Sequence, residues 1–281
     1  MLTPMTTPAA PHSPFAVAPE VLQALRGVRR VVVFTGAGVS AESGIPTFRD
    51  ALTGLWSRFD PMALATVDGF WADPDLVWGW YEHRRVAVHH ALPNPAHRAI
   101  ARLARYLPDV TLVTQNVDDL HERAGSPHVL HLHGSLHHPR CLECDTPFPV
   151  PPDQAVTRPA DPDRLYETVD LLPDGRRLPP PLCPACGGLI RPGVVWFGEA
   201  LPPGALETAL DAAGHCDLLL SVGTSGVVEP AAGIPREAAR AGAGVLHVNP
   251  QVLHLTGVRQ WQANGPAGVV LPALVDAWER V

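Results

Sequence analysis

Two Cys-x-x-Cys pairs, Cys141/Cys144 and Cys183/Cys186, stand 38 residues apart in this sequence. Four thiolates complete a tetrahedral shell around Zn²⁺ and leave no position for water or substrate, so such a metal would hold a fold together rather than react. Just upstream, His131-Leu132-His133-Gly134-Ser135 supplies an imidazole the metal does not need. His133 is a candidate base, because imidazole titrates near neutral pH, although the default reading of an isolated histidine is a core residue. A third feature, Gly36-Ala37-Gly38-Val39-Ser40-Ala41, fits the G-x-G-x-x-G/A pattern whose glycines let backbone amides approach a pyrophosphate. The pattern alone leaves open a dinucleotide site or an ordinary turn after a strand. The acidic residue that usually follows about twenty positions later to hold a ribose is not evident.

The elements that must position these residues show in the hydrophobic pattern. Val31 to Phe34, Val110 to Val113, Leu218 to Val222 and Val245 to Val248 are short, continuously apolar runs. That is the signature of parallel strands buried on both faces. Asn94-Pro95 reads as an N-cap with proline at the first helical position, opening a stripe through Ala99, Ile100, Leu103, Ala104 and Leu107. Pro230 to Ala241 and Ala267 to Val281 read as further helices. Alternating strands and helices predict an α/β fold, a doubly wound, Rossmann-like parallel sheet. Residues 139–192, rich in proline and poor in long apolar patterns, break this rhythm and predict an inserted zinc-ribbon domain with a hairpin or loop between Cys144 and Cys183. The domain division expected is a flexible extension over 1–19, a nucleotide-binding domain over 20–138 and 193–281, and the small domain over 139–192.

Composition narrows the function. The chain has 281 residues and a net charge of −7, which argues against a nucleic-acid partner. All 21 basic residues are arginine, so a Schiff-base lysine is excluded. No run is long and apolar enough to span a membrane, and no basic-then-apolar leader opens the chain, so a soluble cytoplasmic protein is expected. Five cysteines, four in close pairs, suit a reducing compartment and a metal better than a disulfide framework, and Cys216 reads as a core residue.

The glycine block continues into Glu42-Ser43-Gly44-Ile45-Pro46-Thr47-Phe48-Arg49-Asp50, and the whole resembles the signature of the sirtuins, the NAD-dependent protein lysine deacylases. The likeness recurs in order at Gln115-Asn116-Val117-Asp118, at His131-Leu132-His133-Gly134, at both cysteine pairs, at Val195-Trp196-Phe197-Gly198-Glu199, at Gly223-Thr224-Ser225 and at Asn249. The resemblance implies that Ala37, Gly38 and Arg49 belong to a loop over NAD, beside Gly36 and Ala41, with Phe48 shielding the nicotinamide side of the ribose. It further implies that Gln115, Asn116 and Asp118 line the nicotinamide and ribose pocket, and that Gly223, Thr224, Ser225, Asn249 and Ala267 contact the adenosine half. Asn116, Asp118 and His133 would be the catalytic set, with His133 the general base on the ribose hydroxyls. Cys141, Cys144, Cys183 and Cys186 would hold one structural Zn²⁺.

Such a reaction depends on positioning, since the acyl-lysine carbonyl oxygen must meet the ribose carbon in line as the glycosidic bond breaks. An imidazole then takes a ribose proton. Val195 to Glu199 would pair with the substrate backbone as an added strand, although Val194 to Phe197 also reads as a core strand. Tyr81 and Arg84, three apart and so on one helical face, resemble the Tyr-x-x-Arg pair of class III sirtuins that prefer succinyl, malonyl or glutaryl lysine. An arginine fork beside a phenol can receive a carboxylate, and Ala65 would leave room for the longer chain. The expected partners are acylated-lysine proteins or peptides, and a monomer is compatible with the sequence. An NAD hydrolase or ADP-ribosyltransferase using the same pocket, and a zinc-stabilised NAD-sensing module, are the competing expectations.

Overall fold

The computed structural model of the protein describes residues 15–46, 61–161, 163–170, 177–255, 257 and 259–280. Its strands, in chain order, are β1 (Arg30–Thr35), β2 (Asp109–Thr114), β3 (Val129–His131), β4 (Arg140–Cys141), β5 (Ala155–Thr157), β6 (Glu167–Val169), β7 (Ile190–Arg191), β8 (Leu218–Val222), β9 (Gly244–Asn249) and β10 (Gln260–Asn264). The helices are α1 (Pro19–Leu25), α2 (Pro61–Leu64), α3 (Val67–Ala72), α4 (Pro74–His90), α5 (Pro95–Tyr106), α6 (Leu120–Arg123), α7 (Ala205–His215), α8 (Gly233–Arg240) and α9 (Ala267–Trp278).

Six strands form one parallel sheet in the order β10-β9-β8-β1-β2-β3. Continuous apolarity does what parallel pairing requires: Val31 and Val33 of β1 enter one core with α1, α5 and α9, while Val32 and Phe34 enter the opposite core with α7 and α8. All four expected strands are present. Two strands escape a search for apolar runs, β3 and β10, because they lie at the sheet edges and are largely half-buried, so their sequences mix polar and apolar residues. Cys216 is buried beside β8, its Sγ donating to Ala213 O at 3.2 Å, and burial pushes its thiol up to about 11.

Helix α5 begins as its sequence predicts. Asn94 Oδ1 accepts from Ala96 N at 2.8 Å, and His97 Nδ1 accepts in return from Asn94 N at 3.3 Å, a capping box with histidine in the usual Glu/Gln place. The other two expected helices are shorter than their patterns. Residues 230–232 form turns before α8 starts at Gly233, and α9 ends at Trp278 with Glu279 as its cap. Within the segment expected as an extension, Phe15 and Val17 already pack against the sheet core.

In the small lobe, β4 pairs antiparallel with β7, and β5 with β6 inside the long Cys144–Cys183 connection. Its hydrophobic core is shared with α2, α3 and α4: Leu64, Phe70, Trp78 and Trp80 pack with Phe148, Val156, Ile190 and Trp196. The tie is also polar. Trp78 Nε1 donates to Val156 O at 2.8 Å, and Glu82 Oε2 accepts from Val156 N at 2.7 Å. Arg85 bonds both oxygens of Glu82 at 2.8 and 2.7 Å and reaches the carbonyls of Pro151 and Gln154. Both side chains of that ion pair are under 3% exposed, and breaking one partner of so buried a pair costs about 3–5 kcal/mol.

Candidate active site

The carboxyl ends of β1, β2, β3, β8 and β9 converge where the strand order reverses between β8 and β1, the place where open α/β sheets bind ligands. Two loops meet there backbone to backbone. Gly38 N donates to Gly223 O at 2.9 Å, and a Cβ on Gly38 would lie 2.7 Å from Gly223 Cα. Gly223, at φ +60°, would put its own Cβ 2.4 Å from Val39 N. The glycines therefore allow the loops to close on each other. The backbone N–H groups of Ala37, Thr224 and Ser225 make no hydrogen bond among the described residues, leaving donors suited to an anionic group such as a pyrophosphate. Asn249, at the end of β9, donates from Nδ2 to Thr224 O at 2.9 Å, and Ala267 is buried at the first turn of α9. Ala41 is exposed on the following turn. Phe48 and Arg49 lie outside the described residues.

Beneath this opening is a buried polar floor. Ser40 Oγ donates to Asp118 Oδ2 at 2.9 Å and accepts from Asn116 Nδ2 at 3.1 Å. His97 Nε2 approaches the same hydroxyl at 3.4 Å, and Asn94 Nδ2 donates to Val39 O and Ser43 Oγ at 2.7 and 3.0 Å. Asn116 N donates to Thr114 Oγ1 at 3.0 Å, which also accepts from Thr35 Oγ1 at 2.8 Å. Burial lowers His97 to about 4, helped by Arg98, and drives His121 well below its ordinary value, so both are neutral at pH 7. Burial also raises Asp118, opposed by its bonds from Leu120 N and Ser40. Ser40, His97 and His121 are contributors that motif reading did not single out. The Asn94-Pro95 cap was visible in the sequence, but the pairing of Asn94 with His97 and their second use under the crevice need the fold.

Two histidines near the end of β3 have opposite surroundings. His131 Nδ1 lies 3.0 Å from Asn116 O and its Nε2 2.7 Å from Glu122 Oε1; although burial lowers its pKa, that carboxylate raises it more. His133 Nδ1 lies 3.0 Å from Gln115 O. A carbonyl only accepts, so Nδ1 carries the proton and the Nε2 lone pair is left without a partner among the described residues. Burial depresses its pKa, with the Gln115 bond opposing. At neutral pH it is a free base held in one tautomer.

The four cysteines meet as expected. Their sulfurs all lie within 4.8 Å of one another, close to the edge of about 3.8 Å that a tetrahedron of 2.3 Å Zn–S bonds requires. Glu143 N donates to Cys141 Sγ and Gly188 N to Cys186 Sγ, each at 3.4 Å, the bonds a thiolate would accept. A Cβ on Gly188 would meet Cys141 Sγ at 3.2 Å and Glu143 Cγ at 2.5 Å, so glycine keeps the knuckle open. The donor set fits a closed Zn²⁺ site. His133 is not in the cluster.

The segment from Val195 to Glu199 is irregular, so Val194 to Phe197 is not a core strand, and two of its side chains are taken up by the protein's own contacts. Val195 N donates to His133 O and Phe197 N to Ala65 O, each at 2.9 Å, so the segment bridges the sheet domain and the small lobe. Trp196, expected to touch substrate, faces inward at 2% exposed, and Glu199 is drawn to Arg191, accepting from its Nη1 and Nη2 at 2.5 and 2.8 Å and from Trp196 N at 2.8 Å while still bordering the groove. Burial favours the large apolar indole, and pairing with Arg191 offsets the desolvation of the carboxylate. Phe197 remains half exposed beside Gly198, at one end of an open groove of about 760 Å³ that continues past Met62, Val67 and Leu76.

On α4, Tyr81 and Arg84 share a face, with Arg84 Cζ 5.9 Å from the Tyr81 ring centroid and 4.7 Å from that of Trp80. Burial lowers the Arg84 guanidinium, and Tyr81 and Asp118 are close enough to oppose it electrostatically. Arg84 has no hydrogen-bonding partner among the described residues, whereas adjacent Arg85 makes four hydrogen bonds. Ala65 is buried in the same small-lobe core.

Comparison with known proteins agrees with this arrangement. The model of the Sir2 family matches residues 36–230. A protein of Pseudomonas aeruginosa named NAD-dependent protein deacylase 1 is 61% identical over 255 residues, covering 91% of this chain and 96% of its own. The NAD-dependent protein deacylase of Methylococcus capsulatus is 54% identical, with 93% and 97% covered. Among solved structures, a Sir2 homologue in complex with NAD superposes with a TM-score of 0.79 at 42% identity, covering 96% of both chains. A Sir2 complex with a p53 peptide and NAD⁺ gives 0.72 at 28% identity, covering 94% of this chain and 99% of that one.

Proposed function

Because the chain belongs to the Sir2 family, we propose that it removes acyl groups from protein lysine in an NAD-dependent reaction, and that its acyl pocket favours chains ending in a carboxylate. The first part rests on the family and on relatives named as deacylases that align over nearly their whole length. Bound NAD would supply an activated ribose carbon as acyl acceptor, with nicotinamide as the leaving group. The residues of this chain then have definable tasks. Gly36, Ala37, Gly38, Thr224, Ser225 and Asn249 border the place for the phosphates and the adenosine. Asn116 and Asp118, fixed through Ser40, face the ribose and nicotinamide, and His133 Nε2 accepts a ribose proton. Phe197 and Gly198 border the acylated peptide.

The observation that carries the acyl preference is the guanidinium of Arg84, which lies next to Tyr81 with no hydrogen-bond partner or carboxylate counterion among the described residues. A partly buried cation without a counterion is costly, and a ligand carboxylate would satisfy it with charge-assisted hydrogen bonds. Each such bond is worth about 1.5–3 kcal/mol, or roughly 10- to 100-fold. Replacing Arg84 with methionine is therefore expected to lower kcat/KM for succinyl-lysine peptides by about 10- to 100-fold while deacetylation stays nearly unchanged. Side-by-side assays of acetyl, succinyl and fatty acyl lysine peptides with NAD measure this. A parallel fall in both activities would overturn the pocket assignment. Incubation with NAD alone separates the reading from an NAD hydrolase, since a deacylase releases little nicotinamide until acylated peptide is added.

The pH dependence follows from His133. Its free base is the active form, and burial sets its pKa below the ordinary 6.5. Lowering the pH through that depressed pKa protonates Nε2 and stops turnover, so the acid limb of the kcat/KM profile is expected below pH 6.5 and the rate should be flat across neutrality. An acid limb centred above 6.5 would contradict the role of His133.

A further inference from the structure

We propose that Trp196 is a positioning residue for acyl recognition: its indole N–H occupies the oxygen of Tyr81 and leaves the phenol's own hydrogen as a donor to a substrate carboxylate. The inference rests on the reading of Tyr81 and Arg84 as a carboxylate pocket, and it gives Trp196 a role distinct from peptide contact.

Trp196 Nε1 lies 3.0 Å from Tyr81 Oη, in a buried contact. An indole nitrogen can only donate, so the phenol oxygen must accept from it. Tyr81 is 4% exposed and makes no other hydrogen bond to the described residues, so its O–H is left for a ligand beside Arg84. Burial pushes the phenol up to about 12, which keeps that hydrogen in place at any working pH. The two donors, Tyr81 O–H and the Arg84 fork, thus share one face of α4 and have no hydrogen-bond acceptor among the described residues.

The indole is held on several sides. The Arg191 guanidinium carbon stands 3.7 Å from the centre of its ring, and Phe70 packs at 5.4 Å. Arg191 is in turn fixed by both oxygens of Glu199 and by Val194 O at 3.0 Å. Glu199 closes the loop by accepting from Trp196 N at 2.8 Å. A freely rotating phenol would spread its hydrogen over several directions. Here one direction is blocked by a donor that cannot turn away.

Replacing Trp196 with phenylalanine keeps an aromatic ring between Arg191 and Phe70 but removes the N–H together with part of the indole ring, so the comparison of two peptides is needed to separate the lost hydrogen bond from the lost packing. Two peptides differing in the acyl terminus, succinyl-lysine and the uncharged pentanoyl-lysine, report the result. A neutral hydrogen bond is worth about 0.5–1.5 kcal/mol, so the succinyl-to-pentanoyl ratio of kcat/KM should fall about 3- to 10-fold, mainly through KM. Pentanoyl turnover should stay within about twofold, which also certifies the fold. Tyr81→Phe should lower the ratio similarly, and Trp196→Phe combined with Tyr81→Phe should lower it no further. In protein labelled with ¹⁵N at tryptophan, the indole peak absent from Trp196→Phe should shift in Tyr81→Phe. An unchanged ratio in Trp196→Phe while Tyr81→Phe lowers it would overturn the role of Trp196 alone, as would equal losses on both peptides or an indole peak unmoved by Tyr81→Phe. Should neither Tyr81→Phe nor Arg84→Met change the ratio, the carboxylate pocket itself would be overturned.

Discussion

Replacing His133 with alanine is expected to lower acyl-lysine turnover by about 10²- to 10⁴-fold, the usual contribution of a positioned general base, while NAD binding is retained. The ring is anchored through Nδ1 on Gln115 O and is not part of the floor formed by Ser40, Asn116 and Asp118. Its removal should therefore leave the cofactor crevice intact. Rates from product analysis and NAD affinity from calorimetry check the two halves of the expectation separately. Near-normal product formation would remove the base assignment. A joint loss of turnover and NAD binding would mean that the imidazole supports the crevice instead of acting in it. Neighbouring His131 is no substitute, since Glu122 and Asn116 O engage both of its nitrogens.

Stripping zinc with a chelator, or replacing Cys183 with serine, is expected to unfold the small lobe and abolish activity. Structural zinc contributes about 10–16 kcal/mol in small zinc-folded peptides, comparable to or larger than the 5–15 kcal/mol that holds a whole domain. The lobe has two short antiparallel pairs to fall back on, β4/β7 and β5/β6, of two and three residues. Its collapse would withdraw the Val156 backbone and the Pro151 and Gln154 carbonyls that hold Glu82 and Arg85, leaving a buried ion pair partly unsatisfied on α4. Metal content, circular dichroism and limited proteolysis between residues 139 and 192 report the change. A stable, active, zinc-free protein would end the structural role of the metal.

Interior strands, the α5 cap and the metal cluster were legible in the sequence because each depends on short-range chemistry: β-branched runs, Asn-Pro, and paired cysteines. β3 and β10 were not, since edge strands need only one neighbour and tolerate polar residues. The helices of the small lobe were hard to assign for another reason. Val77, Trp78, Trp80, Tyr81, Glu82, Arg85, Val86 and Val88 of α4 are all buried, so no single apolar stripe stands out. At the candidate site, motif order singled out His133, Asn116, Asp118 and the cysteines, and the fold brings the four sulfurs together and links Asn116 and Asp118 through Ser40. Motif order does not say which members of a matched block face a ligand. Trp196 turns inward and Glu199 is drawn aside because Arg191, absent from any motif, is there to receive both.

Helix α4 also joins two jobs that could have been kept apart. Arg85 and Glu82 moor it to the lobe, while one residue away Arg84 lies within electrostatic reach of Asp118 in the crevice floor. If Tyr81 and Arg84 form the proposed carboxylate pocket, adjacent positions on one rod would answer to different selective pressures. A lineage could then retune which modification it erases by changing Tyr81 or Arg84 while the mooring next door stays untouched, so diversification in substrate taste would not wait on architectural change.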